Sequence, residues 1–399
     1  MKNVYLNDLG IINALGKGKL TVSQNLLRPS FTGVAEISTA FYDKALYLGT
    51  VKAELPRLTE AYQRYDCSNN RFLAEAYQQI AATVERYKKK YGAHRIGVIL
   101  GTSTSGIAAG EAAFLYHETQ GVFPPQYDYV QQEVGGASAF VAAYAGVTGI
   151  QYTLSTACSS SGKAFASAAR LIEAGICDAV IVGGSDSLCA LTIQGFAALE
   201  SLSSSICKPF SINRDGITLG EGAALFVMSS EPAEIVLTGL GESSDGYHMT
   251  TPDPMGQGAK IAIKQALISA NCSADEIGYI NLHGTGTEKN DEMESHVMAE
   301  LFKTKPYCSS TKALIGHTLG AAAAQELALC WLLLSSEYNA QQQLPAHYWD
   351  GKADPSLAEI NLINTETTWE IPRFMSNSFA FGGSNVSLII EKDRDDDSI

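Results

Sequence analysis

Short apolar runs typical of β-strands alternate with longer helix-like runs along most of this chain. The first half has strand-like runs at residues 96–100, 152–154, 179–184 and 222–228, and helix-like runs at residues 137–147 and 164–174. Strands separated by helices usually pair side by side in one sheet with the helices packed on its faces. The alternation therefore predicts an α/β protein with largely parallel sheets.

The second half of the chain repeats this layout. Its strand-like runs are residues 279–282, 374–377 and 387–390, and its helix-like runs are residues 259–270, 291–302 and 321–334. No letter-level repeat is visible, and no low-complexity linker divides the chain. We therefore predict two similar halves, residues 1–250 and 251–399, that meet at a change of topology near residue 250.

Composition excludes several classes of protein. A net charge of −14 argues against nucleic acid and anionic membrane as default partners. The eight cysteines are scattered without a CxxC pair, which predicts neither a zinc site nor a disulfide framework. Residues 1–16 lack the pattern of a signal peptide, and the most apolar stretch, residues 327–334, is too short to span a bilayer. We expect a cytoplasmic protein without a membrane span.

Cys158 stands where a predicted strand gives way to a predicted helix. The strand-like residues 152–154 are followed by small residues, and the alanine-rich residues 164–174 come next. A thiol at this turn faces the positive end of the helix, which favours the nucleophilic thiolate. Taken alone, Cys158 fits a buried structural cysteine about as well.

Three more segments are unusual, and we assign them to the sheet edge where open α/β proteins collect their functional groups. His283 precedes a Gly-Thr repeat, Lys312 and His317 bracket a turn before a long apolar helix, and Phe381 precedes two glycines. Each has an ordinary alternative: a core histidine, a buried ion pair of Lys312 with Glu326, or a β-turn that needs glycine.

Together these segments resemble the elongating β-ketoacyl-acyl carrier protein synthases, which are condensing enzymes of the thiolase superfamily. The resemblance runs from residues 10–16 to residues 382–385, and residues 215–223 and 245–250 share it. Its specific part is the set of one cysteine and two histidines with a Phe-Gly-Gly loop behind them. The resemblance implies a thiolase-like fold of five layers, α-β-α-β-α, built from two similar halves.

The resemblance also implies a reaction. Cys158 takes an acyl group from a carrier-protein thioester, and the backbone N–H groups of Cys158 and Phe381 form the oxyanion hole. His283 and His317, as neutral donors through Nε2, bind the thioester carbonyl of a malonyl unit while carbon dioxide leaves. The resulting carbanion attacks the acyl group on Cys158, which is a Claisen condensation.

Further roles follow from the same resemblance. Lys312 helps to fix the neutral state of His317 and is held by Glu326. Thr285 and Thr287 bind the phosphopantetheine arm of the carrier protein, and Phe381 acts as a gate because its flanking glycines let it swing. The family needs no metal and no organic cofactor.

The periphery departs from the family pattern. Lys208 precedes the proline, and Ser211 stands in place of the aspartate, in the family's Arg-Pro-Phe-Asp segment, while residues 117–127 lack the basic groups expected at the tunnel mouth. Candidates for carrier docking, each equally a solvated surface charge, are Arg57, Arg64, Arg71 and Lys208. Candidates for the wall of the acyl tunnel are Ile107, Phe140 and Phe196. These departures favour a polyketide, polyene or pigment pathway over housekeeping fatty acid biosynthesis.

Several alternatives stay open in principle. The superfamily dimerises by pairing the edge strands beside the nucleophile, so we expect a homodimer, with a heterodimer as the other arrangement. A non-catalytic chain-length subunit is the alternative of a different class, but such subunits lack the nucleophile. The initiating synthases use Cys-His-Asn, a biosynthetic thiolase needs a cysteine beyond Cys330, and a cysteine hydrolase needs one histidine rather than two.

Overall fold

The computed structural model describes residues 4–28, 30–39 and 42–393 of the chain. The strands in these residues are β1 Val4–Asn13, β2 Gly16–Lys17, β3 Ala35–Thr39, β4 Tyr42–Gly49, β5 Ile96–Gly101, β6 Gln151–Leu154, β7 Ala179–Asp186, β8 Leu219–Gly220, β9 Gly222–Ser229, β10 Ile235–Ser244, β11 Tyr279–Asn281, β12 Tyr307–Ser309, β13 Gln343–Leu344, β14 Thr367–Thr368, β15 Arg373–Phe379 and β16 Ser384–Lys392. The α-helices are α1 Lys19–Leu26, α2 Ser68–Tyr91, α3 Ile107–Gln120, α4 Gly136–Ala145, α5 Ser160–Glu173, α6 Ala190–Ala198, α7 Gln257–Ser269, α8 Glu288–Leu301, α9 Lys312–Ile315 and α10 Ala322–Leu334.

Two groups of five strands share one topology. The first group runs β6-β5-β7-β9-β1 across the sheet, and the second runs β12-β11-β15-β16-β10. In both groups the first three strands are parallel, and the fourth strand is antiparallel to both of its neighbours. The predicted internal repeat is therefore present in the strand order.

The prediction of largely parallel sheets is wrong for half of the pairings in each group. The strands β9 and β16 run against their neighbours. The connection from β15 to β16 is only residues 380–383, which is too short for the crossover that a parallel pair requires. A glycine loop at this position thus fixes the direction of the last strand.

The two groups touch through their outermost strands. β1 pairs with β10 in antiparallel register, Val4 with Leu237 and Tyr5 with Val236. β10 precedes residue 250 in the chain and pairs with β16 in the second group. The predicted division at residues 250 and 251 stays a prediction, since the two halves are continuous at this seam.

Helices fill the space between and outside the two groups of strands. α5 and α10 lie in the middle, where α5 packs on β5 and β7 and α10 packs on β15, β16 and β9. α2 and α4 cover the first group, and α7 packs on β10 and β16 of the second, with α8 against α7. Every residue of α10 is buried, as expected of a helix that is apolar all round and has neighbours on every side. The predicted five-layered, thiolase-like α/β fold is confirmed.

This architecture brings the ends of several strands to one place. The turns after β6, β11, β12 and β15 hold Cys158, His283, the residues up to His317, and Phe381 respectively. Within the residues described, no helix combines the length and apolarity needed to cross a membrane.

Candidate active site

Cys158 lies in a tight turn between β6 and α5. Ala157 just before it has a φ of 53°, in the left-handed region that costs energy for any residue with a side chain. The Ser160 hydroxyl braces this turn, because it accepts from the Thr156 N–H at 2.8 Å and donates to the Ala157 carbonyl at 2.5 Å. The thiol is thereby held at the start of α5 with 6% of Cys158 exposed.

His283 is fixed by a carboxylate beneath its backbone. The N–H groups of His283 and Gly284 donate to the two oxygens of Glu294, at 2.8 Å and 2.7 Å. Glu294 is fully buried on α8, and burial raises its pKa to about 8, while the two backbone N–H groups act in the opposite direction. Glu294 was not among the residues predicted from the sequence.

A second carboxylate one helical turn away supports the same loop. Asp291 accepts from the Phe210 N–H at 2.7 Å with one oxygen and from the Gly286 N–H at 3.3 Å with the other. The signal in the sequence was the acidic pair three residues apart on α8, just after the Gly-Thr repeat. Such a pair normally indicates a solvated helix face, and here it faces inward.

His317 is anchored through its backbone to the strand-like residues 218–220. Its N–H donates to the Thr218 carbonyl at 2.7 Å, and its carbonyl accepts from the Gly220 N–H at 2.9 Å. Gly316 has a φ of 74°, and a Cβ there would lie 2.5 Å from the Leu219 carbonyl oxygen. This position therefore requires glycine, and the tight approach directs the histidine ring towards Cys158.

The structure brings Cys158, His283 and His317 together. Their Sγ and ring nitrogen donor atoms all lie within 4.8 Å of one another, and His317 Nε2 is 3.0 Å from Sγ. The two imidazole rings meet edge to face with centroids 5.4 Å apart. All three side chains are buried and line one cavity of about 380 Å³.

Burial decides the protonation state of the thiol. It raises the pKa of Cys158 to about 11, against the opposing effects of the Lys312 charge and of the backbone N–H groups of Phe381 and Cys158. The expectation that the helix end favours a resting thiolate is therefore wrong. The loss of solvation outweighs the helix dipole, because the sulfur is almost wholly enclosed.

Both histidines are neutral at neutral pH. Burial, followed by the charge of Lys312, lowers the pKa of His283 and of His317 well below the usual value, and for His283 the neighbouring His317 adds to the effect. The Nδ1 atoms of both rings are buried and have no hydrogen-bond partner among the described residues. Lys312 pairs with Glu326, as the sequence suggested, and both are 1% exposed. Burial raises the pKa of Glu326 to about 7, and Lys312 opposes that shift.

Phe381 sits at the cavity on a loop with two glycines in the left-handed region. Gly382 and Gly383 have φ values of 79° and 77°. The Gly382 N–H donates to the Met249 carbonyl at 2.7 Å, and the Gly383 carbonyl accepts from the Asp245 N–H at 2.8 Å. The ring of Phe381 packs on Phe196, centroid to centroid 5.7 Å. The loop is thus held on one side by residues 245–249 and on the other by α6.

The remaining predicted residues divide into two sets. Thr285 and Thr287 line the cavity with their hydroxyls 2.9 Å apart, and Phe196 also lines it. Ile107 and Phe140 do not line it. Phe140 is instead fully buried in a cluster of aromatic rings contributed by Tyr62, Tyr65 and Tyr144. The roles of Ile107 and Phe140 in the wall of the acyl tunnel stay predictions.

The candidate docking residues lie away from the cavity walls. Arg71 makes a two-pronged pair with Asp66 at 2.6 Å and 2.8 Å, and Arg64 lies 3.7 Å from Asp128. The Lys208 ammonium donates to Ser205, and Lys208 lines a separate groove of about 1010 Å³. None of these three, nor Arg57, is among the described residues that line the cavity.

The cysteine and two histidines also form a donor set that a soft metal ion accepts. Zinc-bound histidines normally donate their second ring N–H to a carboxylate, a carbonyl or water. Here the Nδ1 atoms of His283 and His317 lack such a partner in the described residues. The surroundings of these three side chains therefore fit a resident metal poorly.

The fold and the site together define a condensing enzyme, in which a thiol and two neutral imidazoles share one cavity in a two-half α/β framework. Comparison with known families agrees. The family model "Beta-ketoacyl synthase, N-terminal domain" matches residues 59–233, and "Beta-ketoacyl synthase, C-terminal domain" matches residues 234–343. The chain belongs to the β-ketoacyl synthase family and is an acyltransferase that forms carbon–carbon bonds.

Individual relatives support this assignment. The 3-oxoacyl-[acyl-carrier-protein] synthase 1 of Buchnera aphidicola subsp. Baizongia pistaciae is 30% identical, with 98% of this chain and all of the relative covered. A chain of the ketosynthase in complex with its chain length factor from Xenorhabdus doucetiae is 44% identical, with a TM-score of 0.92 over 98% of each chain. A β-ketoacyl synthase from Burkholderia phymatum STM815 is 27% identical, with a TM-score of 0.87 over 99% of this chain and all of that one.

Proposed function

We propose that the protein is a ketosynthase that extends an acyl chain on an acyl carrier protein by decarboxylative Claisen condensation. The observation that carries this proposal is the convergence of the Cys158 sulfur with the His283 and His317 imidazoles at one cavity. Thr285 and Thr287 line the wall of that cavity, which supports their proposed role in binding the phosphopantetheine arm.

In the first half-reaction the acyl group moves to Cys158. The S–H bond of Cys158 breaks, a new S–C bond forms to the acyl carbon, and the carrier's C–S bond breaks as its sulfur takes up the proton. The backbone N–H groups of Cys158 and Phe381 donate to the carbonyl oxygen while it carries negative charge. Their lowering effect on the pKa of Cys158 supports this placement, because both groups favour negative charge at the sulfur.

In the second half-reaction a malonyl thioester replaces the spent carrier. His283 and His317 donate to its thioester oxygen as carbon dioxide leaves, and the electron pair of the broken bond forms an enolate. The enolate carbon attacks the acyl carbon on Cys158, and the sulfur leaves and takes a proton from water. The lowered pKa of both imidazoles supports these roles, because a neutral donor cannot give its proton away to the carboxylate that must depart.

Lys312 and Glu326 act behind the histidines in this proposal. Burial and, after it, repulsion by the Lys312 charge keep both imidazoles neutral, and Glu326 keeps that charge in place. We also propose that no metal and no organic cofactor takes part, since the energy comes from the loss of carbon dioxide. The lack of a partner for either Nδ1 atom supports this part of the proposal.

A specialised pathway, in polyene or polyketide biosynthesis, is part of the proposal. The 44% identity to a chain of a ketosynthase and chain length factor complex exceeds the 30% identity to the Buchnera synthase. The same similarity supports a heterodimer with a ketosynthase-like partner, next to the homodimer expected from the superfamily. In either arrangement the partner pairs with the edge of β6, whose one neighbour among the described strands is β5.

The alternative of a chain-length subunit is disfavoured by the complete set of Cys158, His283 and His317, since a subunit without catalysis has no need to keep all three in contact.

The eight cysteines are all unpaired, which supports the proposed cytoplasmic location because oxidising compartments favour disulfides.

Intact-mass analysis tests the proposed function. The protein is incubated with acyl carrier proteins that bear saturated, unsaturated and aryl chains, and the Cys158→Ala variant is treated in parallel. We expect a mass increase equal to one acyl group on the native protein with at least one carrier and none on the variant. An equal mass increase on both proteins, or none on either with any carrier, contradicts the proposal.

A further inference from the structure

Asp186 is a fully buried carboxylate outside the cavity. It ends β7, and none of its surface is exposed. One oxygen, Oδ1, accepts from the Thr102 hydroxyl at 2.8 Å, the Ser103 N–H at 2.8 Å, and both the N–H and the hydroxyl of Thr104 at 2.7 Å. The other oxygen, Oδ2, accepts from the Ala321 N–H at 2.8 Å. A buried carboxylate is costly unless its oxygens are well satisfied, and here each one binds a different turn.

The first of these turns, residues 102–105, leaves the end of β5. Ser105 has a φ of 46°, and its N–H donates to the Thr102 hydroxyl at 2.9 Å, which itself donates to Asp186. Gly101, just before the turn, packs so closely on α5 that a Cβ there would lie 2.2 Å from the Ser161 nitrogen. The first turn is therefore tied to the helix whose beginning holds the nucleophile.

The second turn, residues 318–321, follows His317 directly. Leu319 has a φ of 51°, and the Ala321 N–H that donates to Asp186 also donates to the Thr318 carbonyl at 3.0 Å. The chain then enters α10, which bears Glu326. The carboxylate thus caps the start of α10 and fixes the residues that come immediately after the histidine.

The two turns are in direct contact. A Cβ on Gly320 would lie 2.6 Å from the Ser103 nitrogen, so the backbones approach as closely as glycine allows. Left-handed residues other than glycine persist only where their surroundings over-determine them, and they cluster at functional sites. Ser105 and Leu319 are two such residues, one on each side of the same carboxylate.

We propose that Asp186 is a positioning residue of the condensation site, which holds the turn after His317 against the turn at the end of β5. Through this clamp it sets the place of His317 relative to Cys158, without touching substrate. The inference rests on the proposed roles of these two residues.

The test compares Asp186→Asn with Asp178→Asn. Asp178 lies at the other end of the same strand, where it pairs with Arg95 on the surface. Asparagine keeps the shape of Asp186 but turns one acceptor into a donor that faces another donor. A small misplacement of a catalytic group lowers rates steeply. We expect Asp186→Asn to lower kcat by about 10- to 100-fold at an unchanged KM for the malonyl substrate, and Asp178→Asn to change neither.

The two half-reactions separate positioning from a general loss of structure. Per folded molecule, Asp186→Asn is expected to acquire the acyl group on Cys158 at nearly the native rate, whereas carbon dioxide release from the malonyl thioester falls. If Asp186→Asn does not fold, Gly320→Ala pushes the same two turns apart from the other side and is expected to give the same split. Native kcat in the folded variant, or an equal fall of both half-reactions, overturns the inference. Failure of the native protein to condense contradicts the proposed function instead.

Discussion

Burial controls the chemistry of each ionisable group at the centre of the site. It raises the pKa of the Cys158 thiol and lowers the pKa of the His283 and His317 imidazoles, so all three rest in their uncharged forms. The buried Lys312–Glu326 pair lies behind them. The cysteine and the two histidines therefore carry no charge at rest, and in the proposed reaction negative charge first develops on the thioester oxygen.

The raised pKa of Cys158 predicts the pH dependence of its alkylation. Only the thiolate attacks iodoacetamide, so the rate is expected to rise about tenfold for each pH unit between pH 7 and pH 10. Peptide mapping separates this product from alkylation of Cys272, which is half-buried. A rate that levels off below pH 9 contradicts the burial argument and restores the thiolate expected from the helix end.

The buried ion pair predicts a large effect of a single substitution. Lys312→Met leaves Glu326 without its partner, and breaking a buried pair in this way costs about 3–5 kcal/mol of unfolding free energy. The double variant Lys312→Met with Glu326→Leu is expected to regain most of this loss in urea unfolding.

The pKa of Glu326 determines how the stability loss of Lys312→Met changes with pH. Its pKa in the folded protein lies above the unfolded value, so its neutral form favours folding, and that contribution is lost as the pH rises through the folded pKa. The deficit of Lys312→Met should therefore shrink as the pH falls from 8 towards 5. A deficit that is the same at all pH values in this range argues that lost packing of the lysine stem, not unpaired charge, is its cause.

The sequence predicted which residues form the site better than it predicted their burial and protonation states. Cys158, His283, His317 and the Lys312–Glu326 pair stand next to glycine turns or apolar helices, and those contexts are visible in the letters. Glu294 and Asp186 were missed, because a carboxylate near a polar stretch is usually solvated and only the fold shows that these two face inward. The state of Cys158 was predicted wrongly, since burial depends on contacts far away in the chain.

At the scale of elements, the loop between β15 and β16 carries Phe381, the proposed gate. Both of its glycines have left-handed backbone angles, but their surroundings differ. A Cβ on Gly382 would meet no atom of the described residues within 4 Å, whereas a Cβ on Gly383 would lie 2.8 Å from Asp245 Cβ. Alanine substitutions at these two positions therefore distinguish the effect of backbone strain from the effect of a steric clash on one loop.

Alanine at these two positions is expected to give unequal losses of activity. Gly382→Ala adds backbone strain of about 1 kcal/mol. Gly383→Ala adds the same strain and also a steric clash with Asp245. We expect kcat to fall more in Gly383→Ala than in Gly382→Ala, while their melting temperatures both decrease. Equal kcat values would mean that contact with residues 245–249 has no part in placing Phe381.

The same loop shows what sequence patterns predict about elements. The strands around it were found from apolar runs flanking two glycines, but their directions were not. β16 runs antiparallel because a connection of four residues cannot cross over, a constraint that only appears once β15 is known to end at Phe379. β10 was missed as a strand because its run is interrupted by glycines and a glutamate.

At the scale of the whole molecule, exposed aromatic residues form a patch on and after α3. Phe114 on α3 and Phe123 after it are 53% and 43% exposed, with ring centroids 5.3 Å apart. Phe123 also stacks on His117 and Tyr127. Contiguous exposed aromatic groups of this kind mark protein–protein interfaces.

We predict that Phe123→Glu weakens association of the protein in solution, measured by sedimentation velocity with the proposed partner present. The control is Ile268→Glu on α7, at a residue that is 79% exposed on the outer layer of the second half. The first variant is expected to shift the sample towards the monomer and the second to leave it unchanged. An unchanged sedimentation profile for Phe123→Glu excludes these aromatic rings from the interface.

The architecture as a whole was within reach of the sequence. Alternating apolar runs gave the α/β class, and their return in the second half gave the repeat that the two strand orders bear out. The seam between β1 and β10 could not be found this way, since it joins residues more than half the chain apart.

The central claim is that two neutral imidazoles promote loss of carbon dioxide from a malonyl thioester beside the acyl group held on Cys158. Carbon dioxide release from malonyl-carrier protein, measured in Cys158→Gln and in Cys158→Gln with His283→Ala, tests it most directly. The account predicts that the single variant releases carbon dioxide without forming a condensed product, and that the double variant is slower by at least about 100-fold. Equal release by both variants, or condensed product from either, would contradict it.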